Sequence, residues 1–296
     1  MNKVILYISL ICLVLIGNLI KLKVWFMLMC LNRVSLSKVV EPNLIVSLTS
    51  YGKRVTNNSV CYTLYSLLAQ HRRPQEIILW LDEDEFNDNT LPAMLRRLKN
   101  HGVQVRYCEN IRSFKKIIPS MRAFPDADII TVDDDIYYSP SMVDELVMHH
   151  KLQPKNVIAL GVRMPQLENG KFQPYKQWQK IHHISQTLVY NQMLPMPVGQ
   201  YGIFYPAHIF DGEALNMETA MLLCPLADDL WLYIMGLRCH VNKTIVPASK
   251  VTYYFIDLLR QHFSRDRLYA TNVCEDMNDV QLHKLLDHYA INPAEL

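Results

Sequence analysis

Apolar and polar positions along this chain alternate in short blocks rather than long repeats. Residues 44–48, Leu-Ile-Val-Ser-Leu, form an uncharged run that ends in the polar turn Thr49, Ser50, Tyr51 and Gly52, which predicts a buried first strand. Residues 60–70 carry Leu64, Leu67 and Leu68 at helical spacing, and 76–81 form a second apolar run closed by Asp82, Glu83, Asp84 and Glu85. Leu91, Leu95 and Leu98 predict a helix over 91–100, stopped by His101 and Gly102. A short strand follows at 103–107. Residues 128–132, Asp-Ile-Ile-Thr-Val, then predict a further buried strand running directly into Asp133, Asp134 and Asp135. Strands alternating with helices imply an α/β sandwich with mostly parallel pairing.

Beyond a helix predicted over 144–150, Pro154, Pro165, Pro174, Pro195, Pro197 and Pro206 interrupt the pattern. Short strands are expected at 157–161, 202–205 and 244–247, and a helix at 229–236. An amphipathic helix over 272–286 either packs back on the domain or lies on lipid. The organisation read from this is a membrane anchor and linker over 1–40, a catalytic domain over 41–250 and a helical tail over 251–296.

The first of those segments is the most apolar. Residues 4–20 are broken only by Ser9, Gly17 and Asn18, and a second apolar run, 24–31, follows Lys21 and Lys23. The first run meets the lower limit for a spanning helix, with an interfacial or re-entrant insertion as the other reading. No small-residue cleavage site follows it, which favours an uncleaved anchor over a signal peptide. Lys3 precedes the run whereas Lys21, Lys23, Arg33 and Lys38 follow it. The positive-inside tendency therefore predicts a single-pass or monotopic membrane protein with a cytoplasmic catalytic domain. Sequons at Asn57 and Asn242 favour the opposite topology.

Composition narrows the function classes. The 296 residues are 50% hydrophobic, enough for a sizeable core, and the net charge of +2 gives no electrostatic footprint for nucleic acid. Seven cysteines are odd in number and form no C-x-x-C pair, which predicts reduced thiols rather than a disulfide framework or zinc site.

The chemistry concentrates at predicted strand ends. In open α/β sheets, ligands sit outside the carboxyl ends of the strands, and three polar clusters occupy such ends: residues 49–54, 82–84 and 133–135. Three consecutive carboxylates repel one another unless a cation neutralises them. A hard divalent ion, Mn²⁺ or Mg²⁺, shared with substrate phosphates is the simplest such cation. Alternation along an extended chain points Asp133 and Asp135 one way and Asp134 the other. Lys115 and Lys116 are candidates for meeting phosphate oxygens, with an exposed helix face as their alternative reading.

With those residues in place, the sequence resembles glycosyltransferases of the GT-A fold, whose D-x-D motif follows a central strand, here Thr131-Val132-Asp133-Asp134-Asp135-Ile136. Residues 46–54, 80–82 and 227–231 also resemble bacterial family 2-like transferases of surface polysaccharide or lipopolysaccharide assembly, over roughly residues 44–247. The resemblance implies that Thr49, Tyr51 and Arg54 lie near the nucleotide of a nucleotide-sugar donor, with Asp82 at its base or ribose and Asp134 beside it. Asp133 and Asp135 would flank the metal and diphosphate. Asp228 or Asp229, with Asp229 preferred, matches the acceptor-side carboxylate that is the general base of inverting members. Helix capping is the alternative role for that pair. Residues 198–202 resemble the acceptor loop, although Gln200 and Tyr201 stand where glycines are often found. The acceptor implied is a glycan or a lipid-linked saccharide. His182, His183 and His262 are candidates for a late metal or phosphate ligand, and Tyr175, Trp178 and Trp231 for sugar stacking or core packing.

Two competing functions follow from the same residues. A nucleotidyltransferase on sugar phosphates would use the same sheet edge, but it normally carries a glycine-rich basic loop, and residues 49–54 hold one glycine. A non-catalytic, membrane-anchored module would bind the donor without turnover.

Overall fold

The structure, a computed structural model, describes residues 3–30, 40–182, 184, 188–247, 251–256 and 276–296. His183, His262, Arg33, Lys38 and the start of the predicted tail helix lie outside them. The first helix, α1 (Lys3–Met29), precedes β1 (Val40–Thr49), α2 (Gly52–Thr56), α3 (Ser59–Leu68), β2 (Arg73–Asp82), α4 (Ala93–Lys99) and β3 (Val103–Cys108). Then come a 3₁₀ turn (Arg112–Lys116), α5 (Ile118–Ala123), β4 (Asp128–Thr131), β5 (Ile136–Tyr138), α6 (Met142–Leu152) and β6 (Val157–Ala159). Shorter pieces follow: β7 (Gly161–Met164), β8 (Leu167–Glu168), β9 (Lys171–Phe172), β10 (Gln179–His182), β11 (Met196–Pro197) and β12 (Ile203–Tyr205). The chain continues through α7 (Met217–Leu223), α8 (Asp228–Arg238), β13 (Lys243–Ile245), β14 (Tyr253–Phe255) and α9 (Met277–His288).

Seven strands form one sheet in the order β13-β6-β12-β4-β1-β2-β3. Neighbours β4, β1, β2 and β3 are parallel, as are β6 and β13, whereas β12 runs antiparallel between β4 and β6. The chain is thus an α/β fold with a mostly parallel central sheet flanked by helices, in keeping with the GT-A architecture. Register aligns Thr49 with Trp80 and Ser47 with Thr131. The polar clusters that follow β1, β2 and β4 therefore leave the sheet at the same edge. Because β12 is reversed, Ile203 pairs with Thr131, and the segment before it, 199–202, arrives at that edge too.

The helices divide by burial. In α3 every residue but Tyr62 is buried, as expected for a helix apolar on all sides and covered on both faces. It packs between the sheet and α1, whose Val24 and Leu28 are fully buried, each stabilising the contact by on the order of 2 kcal/mol. The opposite core holds α8 with Leu282, Leu285 and Leu286 of α9. Gln281 accepts a hydrogen bond from the Leu226 amide at 2.9 Å, so the tail helix packs back on the domain.

Helix α1 lies along the domain beside α3. At its end the Met29 carbonyl accepts from Arg97 Nη2 of α4 at 2.8 Å. Farther back, a Cβ on Gly17 would stand 3.4 Å from the Phe255 carbonyl of β14. That strand pairs with β5, and the next amide, Ile256, donates to the Asp135 carbonyl at 2.9 Å. The middle of α1 is thus one strand away from the acidic triplet. Leu15, Leu19, Leu22 and Phe26 on its outer face are 57 to 65% exposed. Among the described residues no single helix is long and apolar enough to cross a membrane.

Candidate active site

The site is built where β1, β2, β4 and the entry to β12 converge. Thr49, last in β1, donates its hydroxyl to the Trp80 carbonyl at 2.9 Å and so ties two strand ends together. Ser50 and Arg54, in the turn and helix that follow, hold the acidic triplet from one side. Ser50 Oγ donates to Asp134 Oδ2 at 2.5 Å. Arg54 pairs with the other Asp134 oxygen and reaches Asp135 Oδ2 at 3.1 Å, while its guanidinium lies 5.3 Å from the Tyr51 ring. Burial pushes the Asp134 carboxyl above its usual range, and Arg54 and Ser50 oppose that rise. Asp134 therefore turns into the protein, leaving Asp133 as the more open carboxylate with 36% of its side chain exposed.

The end of β2 is braced separately. Asp82 is buried and accepts from the Asp84 amide at 3.0 Å. Lys115 lies 3.7 Å from its other oxygen and donates to Asn110 Oδ1 at 3.2 Å. Tyr51, by contrast, is 43% exposed at the mouth of the site.

On the other side of the triplet stands Lys116, last in its 3₁₀ turn. Its ammonium is 2.8 Å from Asp228 Oδ2, 3.3 Å from Asp133 Oδ1 and 3.4 Å from Asp229 Oδ1, with only 7% of the side chain exposed. Asp228 and Asp229 open α8, but the N-cap is Ala227 and makes no side-chain cap bond. The pair points into the cluster instead of capping the helix. Asp229 Oδ2 accepts from the Gly199 amide at 2.9 Å. Burial raises the Asp229 carboxyl to about 6, with Asp228 and Asp133 adding to the rise and Lys116 and the Gly199 amide opposing it. Lys116 goes the other way: burial alone would lower it, but the three carboxylates hold it well above the ordinary lysine value.

Tyr138 joins the two halves. Its buried hydroxyl accepts from the Asp133 amide and donates to the Gln200 carbonyl, both at 3.0 Å. The structure thus gathers Thr49, Tyr51, Arg54, Asp82, Lys115, Lys116, Asp133, Asp134, Asp135, Asp228 and Asp229 at one edge. Within that group Arg54 and Asp134 are spent on each other. Ser50, Tyr138 and Gly199 were not among the expected site residues. Gly199 lies in the segment resembling an acceptor loop, while nothing in the sequence singles out Tyr138.

The other expected aromatics lie elsewhere. Trp178 is buried against Phe172, Tyr175 and Tyr233, and Trp231 is buried with its indole donating to the Ala214 carbonyl at 3.0 Å. Both are core. His182 stacks on Tyr201 with ring centroids 4.9 Å apart.

Asp133 and Asp135, the expected metal ligands, are each paired with a cation in this structure, Lys116 and Arg54 respectively. Among the described residues no group of three or more His, Cys, Asp or Glu is placed to hold a metal ion, so a cation here would be held by that pair of carboxylates. Mg²⁺-like ions are bound in that way, by one or two carboxylates with substrate phosphates completing the shell.

The profile described as Glycosyl transferase family 2 matches residues 50–209. No curated protein matches the chain at a significant level. Among solved structures, the chain is similar to that of S. aureus TarS 1-349 in complex with UDP, with 13% identity and a TM-score of 0.47 over 83% of this chain and 70% of that one.

Proposed function

The chain belongs to glycosyl transferase family 2 and is a glycosyltransferase, and from that premise we propose that it moves a sugar from a nucleotide-sugar donor to a glycan or lipid-linked acceptor with inversion at the anomeric carbon. The observation that carries this reading is that Asp133, after the central strand, and Asp229, at the head of α8, meet around one ammonium. Donor-side and acceptor-side carboxylates are thereby a few ångströms apart.

In this reading Asp229 takes the proton of the acceptor hydroxyl as its oxygen attacks the anomeric carbon. The bond to the nucleoside diphosphate breaks on the opposite face, which inverts the configuration. A carboxyl near 6 is ionised at neutral pH yet basic enough to accept a proton in the transition state. Asp133 and Asp135 are the residues that would hold Mn²⁺ or Mg²⁺, which when bound supplies charge neutralisation for the departing diphosphate. Arg54 keeps Asp135 oriented, and Tyr51 stands open at the mouth for the base or ribose to cover.

The N-terminal helix supports a membrane-held acceptor. It passes beside β14, next to the triplet. Leu15, Leu19, Leu22 and Phe26 face away from the domain, as a helix seated in a lipid interface requires. A bilayer taking up this helix lies next to the catalytic edge, with the domain on the cytoplasmic side.

Calorimetry of the full chain with a panel of nucleotide sugars, with and without Mn²⁺, tests the donor site. Expected is metal-dependent binding of one donor that Asp135→Ala abolishes. Binding of none by the folded protein would sink the reading. Preferential transfer to lipid-linked over free oligosaccharide tests the acceptor, and equal use of both would remove the membrane from it.

A further inference from the structure

A buried ammonium without partners is strongly disfavoured, and one ringed by carboxylates is held. Lys116 has three N–H donors and three carboxylates within 3.4 Å, from Asp133, Asp228 and Asp229. The cluster keeps a negative balance even with the ammonium counted. In this structure the ammonium is taken up by carboxylates, which favours a role other than the expected contact with the donor's phosphate oxygens.

The backbone is shaped around the same point. A Cβ on residue 199 would stand 2.6 Å from Lys116 Nζ, 3.0 Å from Asp229 Oδ1 and 3.4 Å from Asp133 Oδ1. A side chain at this position would push the ammonium aside and press on the Asp229 carboxylate. The Gly199 amide then takes the second oxygen of Asp229 at 2.9 Å. With Oδ1 on Lys116 and Oδ2 on Gly199, the carboxylate is fixed in rotation, and each oxygen keeps a free lone pair for an incoming hydroxyl.

We propose that Lys116 is the positioning residue of the transfer: its ammonium, seated against Gly199, aims the Asp229 carboxylate and ties it to Asp133 on the donor side. This rests on the glycosyltransferase reading of the site. Lys116 acts through Asp229 and touches neither donor nor acceptor. Gly199 serves the same arrangement by its missing side chain and its amide.

The test separates turnover from donor binding. The full chain, Lys116→Met and Gly199→Ala are compared by nucleoside diphosphate release from a panel of UDP-, GDP- and CDP-sugars. Calorimetry with UDP, GDP and CDP in Mn²⁺ supplies the binding side. Misplacing a reacting group by about an ångström lowers rates about 100-fold, and that loss is expected in kcat for both variants, with nucleotide affinity within about threefold of wild type. Gly199→Ala keeps every charge, so its loss cannot come from removing a cation, and it covers the case in which Lys116→Met fails to fold. Nucleotide binding weakened tenfold or more in Lys116→Met with kcat unchanged would put the ammonium on phosphate and overturn the proposal. Wild-type turnover retained by both variants would overturn it while leaving the glycosyltransferase reading intact. A wild type that neither binds nor turns over any donor removes both.

Discussion

Two lysines in this protein are buried almost equally and behave in opposite ways. Lys116, at the catalytic edge, sits among three carboxylates and is held well above its ordinary value. Lys243, in the edge strand β13, is 1% exposed, donates to the Met193 carbonyl at 2.8 Å and lies 5.3 Å from the Tyr233 ring. Burial lowers it to about 7. Burial alone therefore does not explain a charged lysine inside this fold; it discharges one. The charge on Lys116 is kept by residues delivered from β4 and α8, and this separates a group assembled for chemistry from one the fold merely tolerates.

The sharpest way to break that contrast is to neutralise what Lys116 holds. Asp229→Asn keeps the shape and removes the proposed base, and general-base loss predicts a fall in kcat of about 10³-fold. Nucleoside diphosphate binding by calorimetry should be unchanged. A variant turning over at even a tenth of the wild-type rate would show that Asp229 does not take the proton.

The second test falls on the other cation of the site. Arg54 pairs with buried Asp134 and with Asp135. Arg54→Met strands those carboxylates, which predicts a loss of about 3 kcal/mol in stability by chemical denaturation. It also predicts weaker Mn²⁺-dependent donor binding. An unchanged denaturation midpoint would mean that the triplet is held from elsewhere.

How far the sequence reached follows from the same elements. The ends of β1, β2 and β4 were legible because each is an apolar run stopped by charged or hydroxyl residues, and the pattern placed Asp82 and Asp133 at one edge. Alternation set Asp134 apart from Asp133 and Asp135, but residues 134 and 135 form a turn and share Arg54, while Asp133 alone faces Lys116. What periodicity could not carry was the meeting of Lys116, Gly199 and Asp229, because β12 enters antiparallel and is three residues long. Strands of two to four residues in β7 to β11 leave no periodic trace. Tyr138 bridges two backbones through one hydroxyl, a role that no local pattern encodes.

A smaller effect reads the same site through pH. In the proposed mechanism Asp229 takes the proton as a carboxylate, so activity should fall about tenfold per unit below pH 6 and level off above it. Lys116→Met withdraws the ammonium that opposes the rise at Asp229, and the acid limb should move to higher pH. A profile flat from pH 5 to 8 in the wild type would detach the rate from this carboxyl.

The smallest effect belongs to the lysine outside the site. Between about pH 7 and the ordinary lysine value near 10.4, the unfolded chain binds a proton that folded Lys243 does not. Stability gains from this residue as pH rises through that window and not below it. Lys243→Met removes the part-charged amine and its slope, and a well-packed apolar replacement of such a buried group is neutral or stabilising by about 1 kcal/mol or more. A rise of about 2 to 4 °C in the melting midpoint at pH 7 is expected, with the gap to wild type closing toward pH 10. Turnover should be untouched, since Lys243 meets no residue of the catalytic edge. If Lys243→Met lowered kcat as Lys116→Met is expected to, the two lysines would belong to one functional network, and the division between a tolerated and an assembled charge would fail.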